Sequence, residues 1–165
     1  MLDTMTRYLS GVAAERDRNA IRQVLLPIVD RFSSLATSTA GLVIKAGGGT
    51  LAKIGTVAFQ GIASGVPVTI AASTDMPALS GSITAASYNI YAFFIDSASV
   101  VTSAMGTEAT TLAGVKFPPF PQGKALVGYL IVTYASTFVG GTTALDTATT
   151  VYVSPVGPFD PTVLV

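Results

Sequence analysis

From Leu2 to about Leu35 apolar residues recur at three- and four-residue intervals, the period of one face of a helix. The stripe begins at Leu2, Met5, Leu9 and Val12, lapses around Gly11 and the charged cluster Glu15-Arg16-Asp17-Arg18, and resumes at Ile21, Leu25, Ile28, Phe32 and Leu35 with 4-3-4-3 spacing. The lapse predicts two helical pieces, and Pro27, which lacks a backbone donor, predicts a kink in the second or the start of a third. Residues Ser33 to Gly41 are small and mostly polar and read as a linker.

Beyond the linker the period changes to two. Candidate strands are Leu42–Ala46, Leu51–Phe59, Val66–Ala72, Ser87–Asp96, Ala98–Ala104, Thr107–Ala113, Ala125–Tyr134 and Thr147–Val153, with turn signals at 47–49, 61–65, 75–77 and 140–141. Eight short strands at regular spacing predict a mainly β protein, an antiparallel β-sandwich or jelly-roll-like domain behind an N-terminal amphipathic helical arm. The chain divides accordingly into arm and linker (1–40), β domain (41–154) and an extended apolar tail (155–165) suited to lying along a neighbour.

The strand at 125–134 organises the rest. Strict alternation puts Leu126, Leu130 and Val132 on one face and Val127, Tyr129 and Ile131 on the other, so both faces need cover. The lead-in Phe117-Pro118-Pro119-Phe120-Pro121-Gln122-Gly123 is stiff and extended, because each proline fixes its own φ and restricts its predecessor. Aromatic residues also fill both faces of the strand around Tyr88, Tyr91, Phe93 and Phe94, as core and subunit interface together would require.

Composition narrows the chemistry. The 165 residues contain no cysteine, histidine or tryptophan, which removes disulfides, thiol nucleophiles, thiolate and imidazole metal sites, and histidine acid–base catalysis. Nine basic and nine acidic residues leave no net pull towards nucleic acid or anionic lipid. Residues 1–31 hold nine of these eighteen charges and all five arginines, so a charged arm joins a charge-poor domain. The uncharged stretches 54–74, 76–95 and 125–145 are broken by Gly, Pro, Ser and Thr, so none reads as a membrane helix. The charged cluster at 15–18 falls where a signal peptide would need its apolar core, and folding in the producer's cytoplasm is expected.

Motifs that would carry catalysis fail on context. Gly47-Gly48-Gly49-Thr50-Leu51-Ala52 matches a dinucleotide-binding fingerprint, with Asp75 at the distance of a ribose-binding acid. The β-type sequence Ile54 to Phe59 follows where a helix would have to present its amides, so a hairpin turn is expected. Gly123-Lys124 lacks the remainder of a phosphate loop, and Gly61-Ile62-Ala63-Ser64-Gly65 has its serine one place late for a nucleophile elbow. Asp75, Asp96, Asp146 and Asp160 read as turn residues bonding nearby amides, and no spacing pairs two carboxylates for glycoside cleavage. No catalytic, cofactor-binding or metal-binding residue is therefore assigned.

The run Tyr91-Ala92-Phe93-Phe94-Ile95-Asp96, then Ala98 to Thr102, then Gly123-Lys124-Ala125-Leu126-Val127-Gly128-Tyr129-Leu130-Ile131-Val132, and Phe138-Val139-Gly140-Gly141-Thr142-Thr143-Ala144-Leu145-Asp146 resembles small virion proteins of tailed bacteriophages. The likeness spans residues 85–150 and is as much compositional as motif-like. It implies a non-enzymatic structural protein of the capsid decoration or cement type, or a head fibre, located in the virion. Its partners would be sister copies, expected as a trimer, and other virion proteins such as the major capsid protein, with no nucleic acid and no membrane. The charge-poor β region agrees with burial against sister subunits.

An arm stripe of Ile21, Leu25, Ile28, Phe32 and Leu35 is the expected assembly interface, with Arg16, Arg18 and Arg22 adding polar contacts at its rim. Two heptads are too few to claim a coiled coil, and the competing reading is a stripe packed on the chain's own domain. The alternative is a tail-fibre or adaptor component binding a host receptor or carbohydrate, which would need exposed aromatic and polar side chains on loops.

Overall fold

In the computed structural model, residues 18–159 are described apart from 24, 27 and 31. The first helical piece at 2–12, the kink at Pro27, the rim residue Arg16 and the end of the tail at 160–165 lie outside the described residues. The protein is mainly β with antiparallel sheets and one short N-terminal helix, α1, at the described positions of 18–33.

Eleven strands follow in the described residues: β1 (Leu35–Ala36), β2 (Val43–Ile44), β3 (Ala52–Lys53), β4 (Phe59–Ala63), β5 (Val66–Ile70), β6 (Ser82–Ile83), β7 (Tyr88–Ile95), β8 (Val101–Met105), β9 (Ala125–Thr133), β10 (Phe138–Val139) and β11 (Thr149–Val153). The longest two, β7 and β9, pair at the centre of a four-stranded sheet of order β11-β9-β7-β8. A second sheet has the order β1-β4-β5, and the hairpin β2-β3 and the pair β10-β6 complete the set. As expected, the triple glycine at 47–49 belongs to the β2-β3 hairpin connection and no helix follows it.

Several strand boundaries differ from the two-residue period. Leu35, expected on the helical stripe, instead opens β1 and pairs with Ile62. The helix stops at Ser33, whose hydroxyl donates to the Asp30 carbonyl at 3.1 Å, and buried Ser34 then accepts the Ser64 amide at 3.0 Å. The linker is thereby partly built into the sheet, since Thr37 and Ser38 both donate to the Gln60 carbonyl. Residues 61–63, expected as a turn, continue β4; only Ser64 and Gly65, with φ of 50° and 76°, reverse the chain into β5. The expected strand at 107–113 is a loop, tied by the Tyr88–Ala109 and Thr107–Lys116 bridges and ending in a 3-10 turn at Leu112–Gly114.

The central sheet is covered on both faces, as the apolar alternation of β9 requires. One face joins Tyr91, Phe93, Val127 and Leu130 to Phe59, Val68 and Ile70 of the β1-β4-β5 sheet in the larger core. The opposite face joins Ile90, Phe94, Leu126, Tyr129 and Ile131 to Val115, Phe117, Phe120 and Phe159. The grouping of the β9 side chains differs from strict alternation, however: Leu126 lies with Tyr129 and Ile131, and Val127 with Leu130 and Val132.

The cause is a β-bulge. Phe93 pairs with Gly128 and Phe94 with Leu126, so Val127 is an extra residue that shifts the phase of every later side chain by one. The second core is roofed by the proline-stiffened 117–121 segment and the start of the tail. Phe117 stacks on Phe120 at 5.6 Å and meets Tyr129 edge-on at 5.4 Å, while Phe159 lies 5.1 Å from Phe117. Gly157 donates its amide to the Ala36 carbonyl at 2.8 Å, so the described start of the tail is tied to β1 of this chain.

Candidate functional site

The described positions of 18–33 are helical, in keeping with apolar residues recurring at three and four positions, but their side chains find little to bury against. Ile21, Leu25, Ile28 and Phe32 are 56%, 50%, 47% and 65% exposed. Leu26 and Val29 are exposed as well. Arg18 and Arg22 lie on the same helix and are exposed. Four of the five expected stripe residues thus share one helix, and the fifth, Leu35, does not.

The C-terminal end of α1 is tied to the β domain by polar contacts. Both carboxylate oxygens of Asp30 accept the Gly123 amide, at 3.1 and 3.2 Å, and the Gly65 amide donates to the Ser33 carbonyl at 2.8 Å. Gly123 turns there with φ of 73°, in the left-handed region that glycine tolerates, and its carbonyl accepts the Ser64 hydroxyl at 3.2 Å. These contacts leave a cleft of about 490 Å³ between helix and loop. Leu26 and Phe120 form its apolar lining, and Gln23, Asp30, Gln122 and Lys124 its polar rim. Sequence reasoning missed this cleft, because Asp30 and Gly123 are 93 positions apart and neither belongs to a periodic pattern.

The carboxylates of the β domain are engaged in structure. Asp75 pairs with Lys45, and Asp146 accepts the amide of Gly48 at 2.6 Å across the β2-β3 hairpin instead of closing its own turn. Asp96 performs the expected turn role, accepting the amides of Ala98 at 3.0 Å and Val100 at 2.9 Å, with Lys124 at 3.7 Å. Glu108 holds the β6 end by accepting the amide of Thr84 at 2.8 Å and its hydroxyl at 2.7 Å. Among the described residues no three of His, Cys, Asp or Glu gather as metal ligands. No helix among the described residues is long and apolar enough to cross a membrane.

The Val100 amide, ahead of the neighbouring Ala98 amide and Lys124, holds the Asp96 carboxyl below its ordinary range. The Thr84 amide and hydroxyl do the same for Glu108. A depressed folded-state pKa contributes stability that is present above the unfolded value and lost as pH falls through the folded one. Stability is therefore expected to decline as pH drops below about 4.5, the ordinary value for Glu108. Urea midpoints of Glu108→Gln combined with Asp96→Asn should be lower at neutral pH and vary less with acid; an unchanged acid slope would refute the assignment.

Burial pushes the Tyr91 hydroxyl up to about 12, with Glu108 adding to the rise. That hydroxyl is buried with no hydrogen-bond partner among the described residues, and the ring packs in the larger core 6.0 Å from Phe138. Comparison with known proteins returns no match, whether to a family model, a curated protein or a solved structure.

Proposed function

We propose that the chain is a non-enzymatic structural protein of a bacteriophage virion, decorating or cementing the capsid or forming a head fibre, as an oligomer anchored by its N-terminal arm. The observation that carries this reading is the helix α1, whose described large apolar side chains are about half exposed or more while its end is fastened to a self-covered β domain. Side chains of this kind stabilise an interface by roughly 1.5–3 kcal/mol each when fully buried. Several weak arms held in one oligomer reinforce one another through effective concentration. Sister copies and other virion proteins such as the major capsid protein are the partners, and the virion, assembled in the host cytoplasm, is the location.

Because Leu25 and Phe32 are exposed, Leu25→Asp with Phe32→Asp leaves the β domain intact. Particles lacking this protein should take up the double variant at least about tenfold less than the unaltered chain, by the loss of burial energy. Equal uptake of both would overturn the anchoring role. The cleft, where Phe120 lies among Gln23, Asp30 and Gln122, favours a second reading as a fibre or adaptor component that binds a host receptor or carbohydrate. Loss of host-cell adsorption in Gln122→Ala, with particle uptake retained, would select it.

A further inference from the structure

A second cleft, of about 400 Å³, opens at the end of the central sheet where β7 and β11 begin and β9 ends. Strand register builds it. Tyr88 pairs with Thr133, and Thr133 with Thr149, so these three residues form one row across β7, β9 and β11 with their side chains on the same face. Tyr134, the next residue, takes the opposite face. The Tyr88 ring packs against the second core and the Tyr134 ring against the larger one, so both half-buried rings are held from behind. The Ala86 amide donates to the Tyr134 carbonyl at 2.8 Å and fixes the rim.

The polar groups of this cleft are uncommitted. The hydroxyls of Tyr88, Thr133, Tyr134 and Thr149 make no hydrogen bond to any described residue. By contrast, Thr147 at the cleft's edge and Thr150, one residue further along β11, donate theirs to the Ala144 and Leu145 carbonyls at 2.8 and 2.9 Å. No charged side chain lines the cleft among the described residues; Glu108 is turned to Thr84 and Asp146 to Gly48. Ala86, also in the lining, holds φ of 58°, a conformation that strains an alanine and recurs at functional sites.

We propose that this cleft binds a neutral sugar unit of a glycan. A hydroxyl both donates and accepts, as each sugar hydroxyl does, so four unpartnered ones can pair with a polyol in either sense. The two rings offer apolar surface with a polar tip, which suits a ligand whose ring faces are C–H and whose edges are O–H. Its volume falls in the range of about 300–1,000 Å³ of small-ligand sites. A charged sugar would have no partner here. A proline-rich peptide also lies on aromatic rows, but it would use the hydroxyls as donors only. The site extends the carbohydrate-binding reading given above and lies apart from the cleft beside α1, with which it shares no lining residue.

Saturation-transfer NMR on the full-length chain tests it, with lactose, cellobiose and diacetylchitobiose as neutral probes and glucuronate and glucosamine as charged ones. At least one neutral probe should bind with a dissociation constant of about 1 mM or tighter. The charged probes should bind at least about tenfold more weakly. Tyr88→Phe with Thr149→Val removes two hydroxyls and keeps the ring and the strand, and should weaken binding at least about fivefold. Tyr134→Phe tests the same cleft by a single hydroxyl from the other face and should weaken it in the same direction.

No response to any neutral probe, equal binding of the charged ones, or unaltered affinity in these variants would overturn the site. So would a loss of sugar binding in Gln122→Ala, or a response to a proline-rich peptide alone. Particle uptake of the Tyr88→Phe, Thr149→Val chain should equal that of the unaltered one; a matching loss would make the cleft an assembly contact and refute the sugar site. The binding measurement needs no particle, so it stands or falls separately from the virion role.

Discussion

Phe94→Ala is expected to destabilise the β domain by about 3–5 kcal/mol, the range for deleting a buried aromatic ring and leaving a cavity. Phe94 is fully buried and lies edge-on to Phe120 at 5.2 Å and to Phe117 at 6.5 Å. It joins the central sheet to the segment that roofs the second core. That segment is stiffened by Pro118, Pro119 and Pro121, so it cannot readily sink into the vacated space. Because a domain of this size is stable by about 5–15 kcal/mol in all, a large part of the transition should be lost. Equilibrium urea unfolding measures it, and a loss below about 1 kcal/mol would mean that the second core is not cooperative with the first.

The same variant should loosen α1 while leaving the residues of its contact unaltered. Phe120 belongs both to the aromatic cluster and to the lining of the cleft, next to the loop whose Gly123 holds Asp30. Packing in the second core thus positions the loop that positions the arm.

Gly128→Ala is the second large effect expected, roughly 2–3 kcal/mol, in the upper part of the range for overpacking a well-filled core. A Cβ on Gly128 would lie 2.6 Å from Leu42 Cδ1 and 2.7 Å from the Val153 carbonyl oxygen. The leucine tip can rotate away, but the carbonyl belongs to β11, which pairs with β9 from Thr149 to Val153. Relief of the clash therefore requires β11 to move off the sheet. Hydrogen exchange at 149–153 should accelerate more than at β7, and uniform protection with unaltered stability would refute the close approach.

Gly128 also shows where local pattern stops being informative. The alternation of apolar residues from Ala125 to Thr133 is a property of the segment itself, and it was sufficient to identify a strand buried on both faces. Which side chains share a face was not legible, because the extra residue Val127 exists only relative to Phe93 and Phe94 on the partner strand.

The arm obeys the same division. Its helical period, its stripe and the change to a two-residue period beyond it could be read along the chain, as could the lack of histidine and cysteine chemistry. Leu35 continues the helical spacing perfectly, yet pairing with Ile62 places it in a sheet, because a long-range ladder overrides a local preference. The cleft between Asp30 and Gly123, and the roof that Phe117, Phe120 and Phe159 build over β7 and β9, likewise depend on residues far apart in sequence.

By itself, then, the sequence determined that a helical segment precedes a mainly β region and that the strand at Ala125–Thr133 is buried on both faces, since each follows from periodicity within a few residues. Only the tertiary structure decided register, the grouping of faces and which side of the helix is left open. Those depend on partners that hydrogen bonding and packing bring together across tens of residues, and no local period encodes the choice of partner.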